Sequence, residues 1–231
     1  MWAITRATLL IICLSHLAGA QTNSLALYAG EASRLDASAL RAAQQELDRL
    51  LIPTGIELSW RTLKSRTTDE QFDRVVVMSF DGSCSTAAPA ASLRNLPSSD
   101  IKLADSSVSN GEVLPFFHLD CAHLARLLAP ALAPLSTNER NVAFGRALGR
   151  VMAHEIYHIV GETTAHQSTG VAKASLSVRD LIGDSLNFDV ATLTLMRPPV
   201  PQASPEPAVS VVRSYPRRDV EIPGTEKIRE Q

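Results

Sequence analysis

The spacing of apolar positions changes several times along the chain, and each change marks an element. Leu25 to Ala29 predicts a short strand. Asp36 then stands as an N-cap before Leu40, Ala43, Leu47, Leu50 and Leu51, which share one face of a helix. Pro53-Thr54-Gly55 ends that helix in a turn. Ile56, Leu58 and Trp60 alternate as in a half-buried strand, and Val75 to Phe80 is a continuous apolar run suited to a central strand. The opening is therefore β-α-β-β.

From Asp81 to Gly111 the periodicity is lost among Ser, Ala, Pro, Asp and Asn, which predicts a long surface excursion. Val113 to Leu119 reads as an edge strand, because Pro115 lacks the N–H that a central strand requires. Cys121 to Ala129 has a helical pattern through Leu124, Leu127 and Leu128, and Pro130 and Pro134 are expected to stop it.

Ser136-Thr137-Asn138-Glu139 is a capping-box sequence opening a long helix through Phe144, Leu148, Val151 and Met152 to Val160. Gly145 and Gly149 lower its propensity, but their four-residue spacing puts them on one side, where close packing against a sheet is expected to compensate. Gly161 is expected to end the helix in the left-handed conformation. Ser177 to Gly183 and Phe188 to Met196 predict two short closing helices.

Composition alters this picture mainly at the ends. The 231 residues are 45% hydrophobic and 20% charged, as in a globular protein with one main domain. A net charge of -2 and the lack of a basic cluster interleaved with aromatics argue against a nucleic-acid partner. Residues 1–20 resemble an export signal, with Arg6 in the n-region, an apolar core from Leu9 to Leu14, and Ala18-Gly19-Ala20 at the cleavage site. The mature protein is expected to begin at Gln21, to be secreted or periplasmic, and to have no stable membrane insertion.

Loss of Cys13 with the signal leaves Cys84 and Cys121, which are expected to form a disulfide in an oxidising compartment. The last 34 residues hold seven of the thirteen prolines and little apolar surface. The domain is accordingly expected over 21–197, with a flexible tail over 198–231.

The chemistry concentrates at the end of the long helix. His154 and His158 stand one turn apart, so they can grip one metal ion, with Glu155 beside them as a general base. A catalytic zinc takes three protein ligands and keeps one position for water, whose pKa it lowers to about 7. His166 is the expected third ligand, with Asp180 and Asp184 as alternatives from a following helix. Glu162 lies too close to the helix stop. Tyr157 is expected to pack, and His118 and His123 lack partners at ligand spacing.

His154, Glu155, His158 and Gly161 resemble the metzincin start H-E-x-x-H-x-x-G. Metzincins usually place their third histidine three residues after the glycine, where this chain has Thr164; His166 comes two residues later. The stretch from Gly149 through Gly161, His166 and Thr169-Gly170 resembles predicted secreted bacterial metzincin-like proteins, which often carry a methionine where this chain has Ala172.

The resemblance implies a zincin-like α/β (α+β) fold, in which a twisted mixed sheet packs on the zinc helix and the N-terminal helix. The edge strand is expected to border the cleft. It also implies a zinc metallopeptidase with one zinc ion on His154, His158 and His166, Glu155 as base and a peptide or protein as substrate. Ala172 motivates the alternative, a non-catalytic exported zinc-binding or interaction protein on the same scaffold.

Overall fold

The computed structural model describes residues 23–32, 34–65, 69–86 and 102–197; the expected signal segment and the expected tail lie outside them. The elements run β1 (Asn23–Ala29), α1 (Ala37–Leu51), β2 (Ile56–Thr62), β3 (Arg74–Asp81), β4 (Ala104–Ser109), β5 (Glu112–Asp120), α2 (Cys121–Leu132), α3 (Thr137–Val160), α4 (Val178–Ile182) and α5 (Val190–Met196). The strands form one five-stranded sheet in the order β2-β1-β3-β5-β4. All neighbours are parallel except β4, which runs antiparallel to β5.

Asp36 caps α1 by accepting from the Ser38 N–H, as expected. The buried face is Ala39, Ala43, Leu47, Leu50 and Leu51; Leu40 is instead 37% exposed, because Ala39 takes the contact with α3. The side chains of Leu47 and Leu51 are fully buried, each contributing on the order of 2 kcal/mol. Across the sheet, Leu25, Leu27, Val76, Met78, Phe117 and Leu119 continue the same core.

The edge of the sheet differs from expectation. The segment read as a surface excursion contains β4, and β4 is the edge strand at this end of the sheet, while β5 pairs with both β3 and β4. Pro115 is tolerated in β5 because the β3 pairing begins only at Phe116, and on the β4 side it falls within the register shift opposite Ser106 and Val108. Asn110 and Gly111 join β4 to β5 with φ values of 51° and 83°, the two left-handed residues of a tight hairpin turn.

Pro130 likewise does not stop α2, which continues to Leu132; a proline in the last turn forgoes one ladder bond without breaking what precedes it. Cys84 and Cys121 form a disulfide with a Cα–Cα distance of 4.7 Å, joining the chain just after β3 to the start of α2.

Both halves of the predicted capping box at Ser136 and Glu139 are formed. Gly145 and Gly149 face α1 rather than the sheet: a Cβ on Gly145 would lie 2.1 Å from the Ala39 carbonyl oxygen, and one on Gly149 2.7 Å from that of Ala43. The glycines let α3 approach α1 backbone to backbone. No helix among the described residues is long and apolar enough to cross a membrane.

Candidate metal centre

The last two turns of α3 carry His154, Glu155, Tyr157 and His158, and the segment after the helix carries His166. Gly161 remains in the right-handed region at φ -80°, contrary to the expected left-handed stop; the left-handed residue is Glu162, with φ 48°. Gly161 is needed for space, since a Cβ there would meet the Tyr157 carbonyl oxygen at 2.9 Å and Leu195 at 3.0 Å. Arg74 donates to the Val160 carbonyl and helps close the helix end.

The reversal places both helix imidazoles against backbone carbonyls. His154 Nδ1 lies 2.8 Å from the Val171 oxygen, and His158 Nδ1 lies 2.7 Å from the Thr163 oxygen. The Thr163 N–H returns a bond to the His158 carbonyl, so side chain and backbone hold the same turn. A carbonyl oxygen only accepts, so each Nδ1 must carry the proton, which leaves each neutral Nε2 with a bare lone pair.

Those two Nε2 atoms face one another at 3.1 Å. Burial holds both imidazoles below their ordinary pKa, opposing the protonation that would turn this contact into a hydrogen bond. Two lone pairs at that distance repel unless a cation lies between them. Zinc–nitrogen bonds of about 2.0–2.1 Å in a tetrahedron put ligand nitrogens about 3.3 Å apart, so the pair fits a metal. Donation of the remote nitrogen to a carbonyl is also the usual way a metal-binding histidine is oriented.

The His166 ring is stacked with that of His154 at a centroid distance of 5.2 Å and edge-on to that of His158 at 4.8 Å. One possible ligand atom from each of the three histidines lies within 4.8 Å of the others, a group that could hold a metal ion. The alternative carboxylates do not join it. Asp180 receives Lys173 Nζ at 2.7 Å and the Ser177 N–H; burial works against its charge, but these bonds prevail and hold its pKa at about 2. Asp184 lies beside Arg146.

Glu155 is buried beside the histidines. Burial pushes its carboxyl up, while the Ser106 hydroxyl, donating to Oε2 at 2.5 Å, and His158 favour the charged form. Ser106 lies within the stretch expected to be excursion. The sequence signal for its strand is Asn110-Gly111, whose hairpin geometry requires a strand on either side. Ala172, fully buried, accepts the Gln167 N–H through its carbonyl. His118 bonds with Ser79, and His123 lies beside Asp120, so neither approaches the centre.

A cleft of about 920 Å³ opens over these groups, with Lys102, Ser106 and Val108 on the β4 side and Lys173 and Leu176 on the other. The edge strand does border the cleft, but that strand is β4. No family model matches the chain, and no curated protein matches it. Among solved structures, the archaemetzincin of Methanopyrus kandleri is similar at 12% identity and a TM-score of 0.44, covering 78% of this chain and 97% of that one.

Proposed function

We propose that the chain is an exported zinc-dependent metallopeptidase in which His154, His158 and His166 hold one zinc ion and Glu155 is the general base. The observation that carries this reading is the pair of Nε2 lone pairs facing at 3.1 Å, with a third imidazole and a buried carboxylate beside them. Zinc held by these three imidazoles would supply Lewis-acid chemistry, polarising a carbonyl and lowering the pKa of bound water to about 7.

The chain's own groups complete the reaction. Glu155 takes the proton of the attacking water and delivers it to the leaving amine nitrogen, while the Ser106 hydroxyl fixes which carboxylate oxygen is free. The open edge of β4 offers backbone N–H and C=O groups along the cleft, which suits an extended peptide added as a further strand. The Cys84–Cys121 disulfide suits an oxidising compartment, in keeping with export by the signal expected over 1–20; we take the catalytic domain as 21–197 and the tail as 198–231.

The test is Glu155→Ala. The variant should retain about one zinc per chain and lose peptide cleavage. Cleavage equal to the parent would exclude Glu155 as the base. Zinc binding by a parent that cleaves no member of a broad peptide library would instead support the binding-protein alternative.

A further inference from the structure

The two helix histidines are oriented by carbonyl partners, but His166 is held differently. No hydrogen bond among those described orients its imidazole, and the residue is exposed. Its place therefore depends on the backbone carrying it. That backbone belongs to a connection two residues longer than the one in H-x-x-G-x-x-H, so the ligand lies further from the helix along the chain.

Tyr157 meets this need from inside. Its side chain is fully buried, and its ring lies 5.0 Å from the His158 ring. Its hydroxyl donates to the Ala165 carbonyl oxygen at 2.8 Å and accepts from Gln167 Nε2 at 3.3 Å. Ala165 and Gln167 are the residues immediately before and after His166. One phenol, fixed in the rigid helix between the other two histidines, thus grips both flanks of the third.

We infer that Tyr157 is a positioning residue for the metal centre, whose hydroxyl holds the lengthened connection so that His166 reaches the ion. The inference rests on the zinc reading above. Beyond the phenol, the connection is tied through the Ala165 N–H to Thr163 Oγ1 and the Gln167 N–H to the Ala172 carbonyl. These bonds shape the turn. The two contacts to the Tyr157 hydroxyl join the residues on either side of His166 to the helix.

The test is a double-mutant cycle on zinc affinity, measured by chelator competition, with Tyr157→Phe and His166→Ala alone and together. Tyr157→Phe keeps the buried ring and removes only the hydroxyl. It should weaken zinc binding roughly tenfold, the low end of the effect of losing a partner bonded directly to a ligand, and add almost nothing once His166 is gone. In the cobalt-substituted protein, its visible spectrum should move toward that of His166→Ala.

Unchanged affinity in Tyr157→Phe, or an equal further loss in the His166→Ala background, would overturn the inference. If Tyr157→Phe fails to fold, Gln167→Ala replaces it in the same cycle and is judged by the same non-additivity. A parent chain that binds no zinc would refute the zinc reading itself. A parent that binds zinc and depends on His166 but not on Tyr157 would refute only this inference.

Discussion

The Ser106 hydroxyl, on the edge strand, donates to Glu155 Oε2, on the helix, at 2.5 Å. This bond joins the strand an extended peptide would pair with to the carboxylate proposed to take the attacking water's proton. A hydrogen bond to a charged group contributes about 1.5–3 kcal/mol, and 1.4 kcal/mol is a factor of ten. Ser106→Ala should therefore lower kcat by roughly tenfold or more, while zinc content and KM stay near those of the parent. Ser106→Thr should restore most of the loss. Steady-state kinetics alongside metal analysis checks both.

Gly145 is placed by contact rather than by conformation. In an exposed helix interior, alanine would be favoured over glycine by about 1 kcal/mol. Here the added Cβ would lie 2.1 Å from the Ala39 carbonyl oxygen and 2.8 Å from the Ala42 Cβ, and backbone cannot move aside as a flexible side chain can. Gly145→Ala is expected to destabilise the fold by about 1–3 kcal/mol net, the usual range for overpacking. Urea unfolding would detect this as a lower midpoint with an unchanged slope.

The disulfide closes a loop with a sequence separation of 37, for which loop entropy gives up to about 4 kcal/mol of stabilisation. Replacing Cys84 and Cys121 together by serine should lower the unfolding free energy by about 2–4 kcal/mol. Both sulfurs belong to buried residues at the β3 and α2 ends rather than in the cleft. Zinc content should therefore survive at temperatures where the variant remains folded. Denaturant melts and metal analysis on the same preparation separate the two effects.

The sequence made the long helix legible because its code is local: a capping box, an apolar face and a histidine pair one turn apart. The polar strand Ala104–Ser109 was not, since it has no clean alternation and is defined by pairing with β5. Its turn, Asn110-Gly111, carried a sequence signal that the surrounding Ser and Asp residues obscured. Pro115 suggested an edge correctly for one pairing segment but not for the strand as a whole. Gly161 was readable as a helix end, whereas its contact with Leu195 depends on a distant helix, so the left-handed turn fell to Glu162.

Glu46 links α1 to α3 and to the segment beyond it. It accepts Arg150 Nε at 2.6 Å and two bonds from Arg49, whose guanidinium also reaches the Leu186 carbonyl and the Asn187 side chain. Arg150 in turn donates to the Asp180 carbonyl. The Asn187 carbonyl accepts the Val171 N–H, and the Val171 carbonyl contacts His154, so the network ends at one of the three histidines that could hold a metal ion. Burial pushes the Glu46 carboxyl up, but its bonds to Arg49 and Arg150 prevail and hold its pKa below the ordinary value. Burial disfavors the Arg150 charge, yet arginine remains protonated throughout the accessible range.

Because the folded-state pKa of Glu46 is depressed, its stabilisation is fully present above the unfolded value of about 4.3 and is lost as pH falls through the folded value. Glu46→Gln leaves the fully buried Arg150 guanidinium without its counter-charge. The expected cost at neutral pH is about 3 kcal/mol, or roughly 6–12 °C in Tm for a domain of this size. Its deficit relative to the parent should shrink as the pH is lowered below 4.3, because the parent then loses the same charge. Replacing the pair together, Glu46→Leu with Arg150→Met, should recover most of the neutral-pH loss, since no buried charge is then left unpaired. Thermal melts of the three proteins between pH 3 and 7 check the sign; a Glu46→Gln deficit that stays constant across this range would assign the loss to shape rather than charge.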